Sequence, residues 1–184
     1  MRLFFNSLII FKFMLMIKKN KQFNRIDLHL IYCSRIKLIL ISTFIAIFLS
    51  ISFAILIDLI SGEDFYIKDY SQFDKKSLKY FFIAVFIAPI FETIIFQILP
   101  YLFLSNYIQN KKKIVIISAL FFGCMHYFNS ESIFEILIVT LIGIVYSYTY
   151  FISIQRKENS PFLNVSLVHS NYNLFVFIVY YLSS

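Results

Sequence analysis

Four long, mainly apolar runs, Leu38–Ile60, Leu78–Leu104, Ile133–Ile154 and Pro161–Leu182, decide what this chain can fold into. About 20 such residues suffice to cross the hydrocarbon core of a bilayer as a helix. A fifth run, Ile114–Phe128, is short; it spans if it tilts little, packs inside the bundle or sits in thinned lipid. The chain has 184 residues, 60% of them hydrophobic and only 15% charged. A soluble globule of this size leaves much of its area in water and cannot hide that much apolar surface. Strands of an outer-membrane barrel would alternate apolar and polar residues, whereas these runs are apolar on both faces, which favours helices. The expected fold class is all-α: a polytopic transmembrane helix bundle of about five spans. An N-terminal apolar segment, Leu3–Ile17, is interrupted by Asn6 and Lys12 and lacks a signal-peptide cleavage pattern.

The division expected is an N-terminal apolar segment and basic stretch over 1–36 and a transmembrane helical domain over 37–184, with a core at about 78–175 that carries the mid-span polar residues. The net charge of +7 clusters beside the apolar runs, which suits membrane orientation and not nucleic-acid binding. With five spans, eleven Lys and Arg residues share one side: six over 18–37 (Lys18, Lys19, Lys21, Arg25, Arg35 and Lys37), three at Lys111–Lys113 and two at Arg156–Lys157. The opposite side carries Lys68, Lys75, Lys76 and Lys79, offset by Glu63, Asp64, Asp69 and Asp74. The positive-inside rule then makes 18–37, 105–113 and 155–160 cytoplasmic and 61–77 external. Asn129-Ser130 reads as the turn between two antiparallel helices. Cys124 lies within an apolar run, so no disulfide framework with Cys33 is expected. Richness in Ile, Phe, Asn and Lys fits an AT-rich bacterial genome, hence a multi-pass protein of the plasma (inner) membrane.

Ionisable groups deep in lipid are costly and mark function. Asp58 and Glu135 lie near span ends and can reach the interface, but Glu92 sits mid-span in FIAPIFETIIFQILP. His126 and His169 also lie within spans, and Asn173 follows His169 by four residues, on the same helix face. At 1.5 Å per residue, Glu92, His126 and Asn173 all lie about 18 Å, and His169 about 12 Å, from the cytoplasmic ends of their spans. One carboxylate, two imidazoles and an amide in one layer form a usable catalytic set. A carboxylate away from bulk water suits a general base, an imidazole can hold the water and protonate the leaving amine, and a His/Asn pair can donate to an oxyanion. No HExxH and no GxSxG is present. Pro89, three residues before Glu92, either kinks the helix and frees a carbonyl into a polar cavity or is a tolerated span proline.

Three patterns occur in order: Glu92-Thr93 with Gln97, Phe122-Gly-Cys-Met-His126 and His169-Ser-Asn-Tyr-Asn173. They resemble EExxxR, FxxxH and HxxxN, the signatures of the CPBP intramembrane protease family. That family includes type II CAAX prenyl proteases and proteins linked to bacteriocin processing and self-immunity. The resemblance covers roughly Leu78 to Phe175. It implies that Glu92 and His126 activate water while His169 and Asn173 stabilise the oxyanion. Thr93 and Gln97 depart from the pattern, a neutral pair where the family has Glu and Arg. Four residues apart, they are expected to hydrogen-bond along one helix face. With Phe122 they form the surroundings of the catalytic set.

The reading is an intramembrane endopeptidase acting on a peptide or membrane-protein substrate in lipid, with no cofactor favoured. A zinc site using Glu92, His126 and His169 is the metal-dependent alternative. The other classes are an inactive relative serving as a membrane scaffold or immunity protein, and a proton or metal transporter. Prenylated proteins are not an obvious bacterial substrate pool, so that part of the family's name does not transfer.

Overall fold

The structure, a computed structural model, describes residues 24–61, 78–128 and 133–183. The N-terminal apolar segment, most of the 61–77 loop and the Asn129–Ser132 turn lie outside the described residues. Among the described residues every regular element is a helix: α1 (Arg25–Tyr32), α2 (Arg35–Ser61), α3 (Leu78–Leu104), α4 (Lys111–Tyr127), α5 (Ile133–Gln155) and α6 (Pro161–Ser183). Two compact units are distinguished, divided between Cys33 and Ser34. In the first, α1 starts with a reciprocal cap: the Asp27 N–H donates to Asn24 Oδ1 and the Asn24 N–H to Asp27 Oδ2, each at 2.8 Å. That arrangement satisfies two of the donors a helix start leaves free.

In the second unit, α2, α3, α5 and α6 are long and apolar enough to cross a membrane, whereas α4 has 17 residues. The hydropathy boundaries hold to within a few residues. The largest shifts are three residues, at α2, which starts at Arg35 and not at Leu38, and at α4, which starts at Lys111 and not at Ile114. Backbone hydrogen bonding does not stop at a charge, and the Arg35 guanidinium has a use: its Nε donates to Asn164 Oδ1 on α6. Large apolar side chains such as Leu40, Phe44, Phe48, Phe91 and Phe103 point outward and are exposed, a surface suited to lipid and not to water.

Helix α5 is the most buried of the long helices and packs against α2, α4 and α6. Since lipid tails are as apolar as Leu, association in a bilayer relies on close packing and interhelical hydrogen bonds. Both are present. Thr149 Oγ1 and Ser42 Oγ share a hydrogen bond (2.8 Å), Asn164 Nδ2 donates to Ser153 Oγ (2.9 Å) and the Tyr172 hydroxyl to Ser50 Oγ (2.9 Å). These bonds tie α2, α5 and α6 together. Between α4 and α5 the packing is tight enough to require glycine. A Cβ on Gly143 would lie 2.9 Å from the Phe122 ring and 3.2 Å from the Ala119 Cα. Because part of the obstacle is backbone, Gly143→Ala is expected to push α4 away from α5 and to cost about 1–3 kcal/mol. Thermal unfolding in detergent measures this; a variant as stable as the parent would show that the two helices are not in such close contact.

Helix α3 is not a uniform α-helix. Two π turns, Ile83–Ile87 and Ile94–Ile98, bracket a short α segment, Ala88–Thr93, and each is followed two residues later by a proline, Pro89 or Pro100. Proline has no N–H and cannot serve the carbonyl one turn back. Single π turns within α-helices often accompany functional sites, and the segment between these two carries Glu92.

Candidate active site

Glu92 extends from the middle of α3 toward the last turn of α4 and the centre of α6. Its Oε2 lies 3.5 Å from His169 Nε2 and 3.9 Å from His126 Nε2. Three ionisable side chains from three helices thus meet at one carboxylate oxygen. Both distances exceed an N–H···O hydrogen bond, about 2.7–3.2 Å, so the imidazoles face the carboxylate without binding it directly.

The two imidazoles differ in what they offer. His126 Nδ1 lies 2.9 Å from the carbonyl oxygen of Phe122, one turn back on α4. A carbonyl only accepts, so Nδ1 carries the proton, and in the neutral ring Nε2 presents a lone pair toward Glu92. His169 is buried, and its Nδ1 has no hydrogen-bond partner among the described residues. A buried N–H without an acceptor costs more than a bare lone pair. The favoured tautomer therefore keeps the proton on Nε2, which turns an N–H toward Glu92. One imidazole accepts and the other donates across the same small space.

Aromatic rings hold this arrangement. The Phe122 ring stands edge to face with His126 (centroids 4.5 Å apart) and with His169 (5.9 Å). Tyr146 on α5 stacks on the His169 ring at 4.4 Å and is itself fully buried. Sequence reasoning named Phe122 but not Tyr146, one of 13 tyrosines in the chain and without a polar motif around it. The site is closed on the His169 side and open on the other: the side chains of Glu92 and His126 are 25% and 28% exposed, that of His169 only 4%.

Asn173 lies one turn beyond His169 on α6. Its Nδ2 donates to the backbone carbonyl of Ala84 on α3 at 2.8 Å. Thr93 and Gln97 are both buried, yet neither the Thr93 hydroxyl nor the Gln97 amide has a hydrogen-bond partner among the described residues. The bond expected between them is not formed. A π turn starts at Ile94, between the two residues, and its wider turn takes them out of the facing i, i+4 relation that an α-helix would give.

The donor set fits a metal poorly. A metal-binding imidazole passes its other N–H to an acceptor, and His169 Nδ1 has none.

No curated protein and no solved structure matched the chain. One family model does: type II CAAX prenyl endopeptidase Rce1-like, over residues 74–178. That stretch exceeds half of the chain and contains Glu92, His126, His169 and Asn173, with α3, α4, α5 and most of α6. The family is one of CAAX proteases and points to intramembrane proteolysis in general. The chain belongs to the Rce1-like family of type II CAAX prenyl endopeptidases, and is a membrane protein of protease type.

Proposed function

We propose that the chain is an intramembrane endopeptidase in which Glu92 and His126 activate a water molecule and His169, with Asn173 beside it, serves the oxyanion. The observation that carries this reading is the placement of one carboxylate oxygen within 4 Å of two imidazole nitrogens of opposite hydrogen-bonding character. A water 2.8 Å from both Glu92 Oε2 and His126 Nε2 would subtend an angle of about 90° between them. It can donate one O–H to each, which orients an oxygen lone pair toward a substrate carbonyl. As the oxygen attacks the carbonyl carbon, one proton passes to Glu92. The carbonyl oxygen gains negative charge and meets the His169 Nε2–H. When the tetrahedral intermediate collapses, the C–N bond breaks and the departing nitrogen takes a proton through His126, whose Nε2 receives it from Glu92 and passes it on, so that both side chains return to their starting state. No metal takes part in these steps.

The substrate is a peptide or membrane-protein segment that reaches the site from the bilayer on the open side, where Glu92 and His126 are accessible. The protein acts in the plasma membrane of a bacterium. Purified protein in proteoliposomes, incubated with a host membrane fraction and followed by mass spectrometry of new chain termini, tests the reading. Cleavages made by the parent protein and absent with Glu92→Gln are the expected result. Identical terminus profiles for the two would favour a membrane scaffold. The metal-free character has its own check. Activity is expected to survive exhaustive chelation with metal content verified; activity lost on stripping and restored by zinc would recast Glu92, His126 and His169 as ligands.

A further inference from the structure

The π turn before Glu92 leaves one backbone group without a partner in its own helix. In an α-helix the Ala84 carbonyl would accept from the Ala88 N–H. Here the Ala88 N–H bonds the Ile83 carbonyl instead, five residues back. In a π turn the Ala84 carbonyl would then accept from residue 89, but that residue is Pro89, which has no N–H. Both intrahelical solutions are blocked, in a span where water is not at hand to take over. The group that does bond the Ala84 carbonyl is Asn173 Nδ2, at 2.8 Å.

The geometry points to Asn173 as a positioning residue, which supplies the hydrogen bond Pro89 cannot make and so fixes α3, and Glu92 with it, against α6. His169 and Asn173 are one turn apart on α6. The first faces Glu92 and the second holds Ala84, about 12 Å earlier along α3. Two points of attachment fix both the height of α3 along α6 and its rotation, which a single contact leaves free. Ring packing supports the same end of the interface: Phe81 on α3 stands edge to face with Phe177 on α6, centroids 5.0 Å apart. An Asn side chain has two N–H bonds, and holding Ala84 takes one of them. The kinetic consequence rests on the protease reading above; the structural one does not.

A double-mutant cycle with Asn173→Ala and Pro89→Ala, read as thermal unfolding in detergent, separates the two. Pro89→Ala restores an N–H at position 89. The Ala84 carbonyl can then be served within α3, either by residue 89 or, if the π turn relaxes, by Ala88. Asn173→Ala alone is expected to lower the midpoint by about 5 °C, the effect of leaving one buried carbonyl unpaired. In the Pro89→Ala background the same change should cost little. Equal losses in both backgrounds, or no loss in either, would overturn the proposal. If Pro89→Ala does not fold, the single variant decides: a lowered midpoint supports the clamp, while an unchanged or raised one is the mark of a residue kept only for chemistry. Where cleavage can be followed, kcat lost in Asn173→Ala should be partly recovered in the double variant; an oxyanion donor alone would give no recovery. Failure of the protease reading would remove the kinetic comparison and leave the unfolding cycle intact.

Discussion

Glu92→Gln is expected to reduce turnover by about three orders of magnitude or more and to leave the fold intact. The amide has the size of the carboxylate and can still accept a hydrogen bond through its oxygen. It cannot take the proton that the attacking water must lose. Its contacts with His169 and His126, at 3.5 and 3.9 Å, are longer than hydrogen bonds, so the change to an amide breaks neither as a direct bond. A carboxylate within lipid is also costly, so the unfolding midpoint of the variant should equal or exceed that of the parent. The check is a paired measurement on one preparation, cleavage in proteoliposomes and thermal unfolding in detergent. A Glu92→Gln protein that cleaves at the parent rate would end the assignment of Glu92 as base. One that fails to fold would show that Glu92 has a structural role.

The second large effect is expected at His126. With Nδ1 committed to the Phe122 carbonyl, only Nε2 is available to the water, and it offers the lone pair that shares the nucleophile with Glu92. His126→Ala removes this partner, and kcat should fall by about 10²–10⁴. His126→Gln makes the comparison sharper. Its amide reaches roughly as far as Nε2 and can orient a water, but cannot carry a proton. It should therefore keep KM near that of the parent and still lose most of kcat. A glutamine variant with near-parental kcat would mean that His126 orients the water without exchanging protons; an alanine variant with parental kcat would remove it from the mechanism.

The positions of the long helices were legible because hydropathy over a long window depends on composition and not on side-chain packing. Leu78–Leu104 is bounded in the structure where the apolar run is bounded in the sequence, and the other spans shift by a few residues. The meeting of Glu92, His126 and His169 was legible for a related reason: polar groups at similar depth in three apolar helices have few other places to go. The partners that complete the site were not legible. Tyr146 stacks on His169 through the rotation of α5 about its axis, and a helix apolar on all sides gives no sign of that rotation. The carbonyl that Pro89 frees was foreseeable, but its recipient depends on how α6 lies on α3. The Thr93–Gln97 bond failed because the π turns in α3 consist of Ile, Ala, Val, Phe and Gln, residues that an ordinary α-helix accepts equally well.

A π turn is an α-helix carrying one extra residue, and α3 carries two. Each residue in an α-helix advances the direction of its side chain by about 100°. Deleting a residue from a π turn lets that turn relax to an α turn, but deleting Ile90, in the α segment between the two turns, would leave an equally apolar span in which everything before the deletion swings by that angle relative to Glu92. The Ala84 carbonyl would no longer lie under Asn173 when the carboxylate lay under His169. In this part of the chain, information resides in the number of residues more than in their identity. Exchanges among Ile, Val and Leu in either π turn should be well tolerated, whereas a one-residue gap or insertion in the α segment between them should part Glu92 from the histidines or Ala84 from Asn173 without changing the hydropathy of the span.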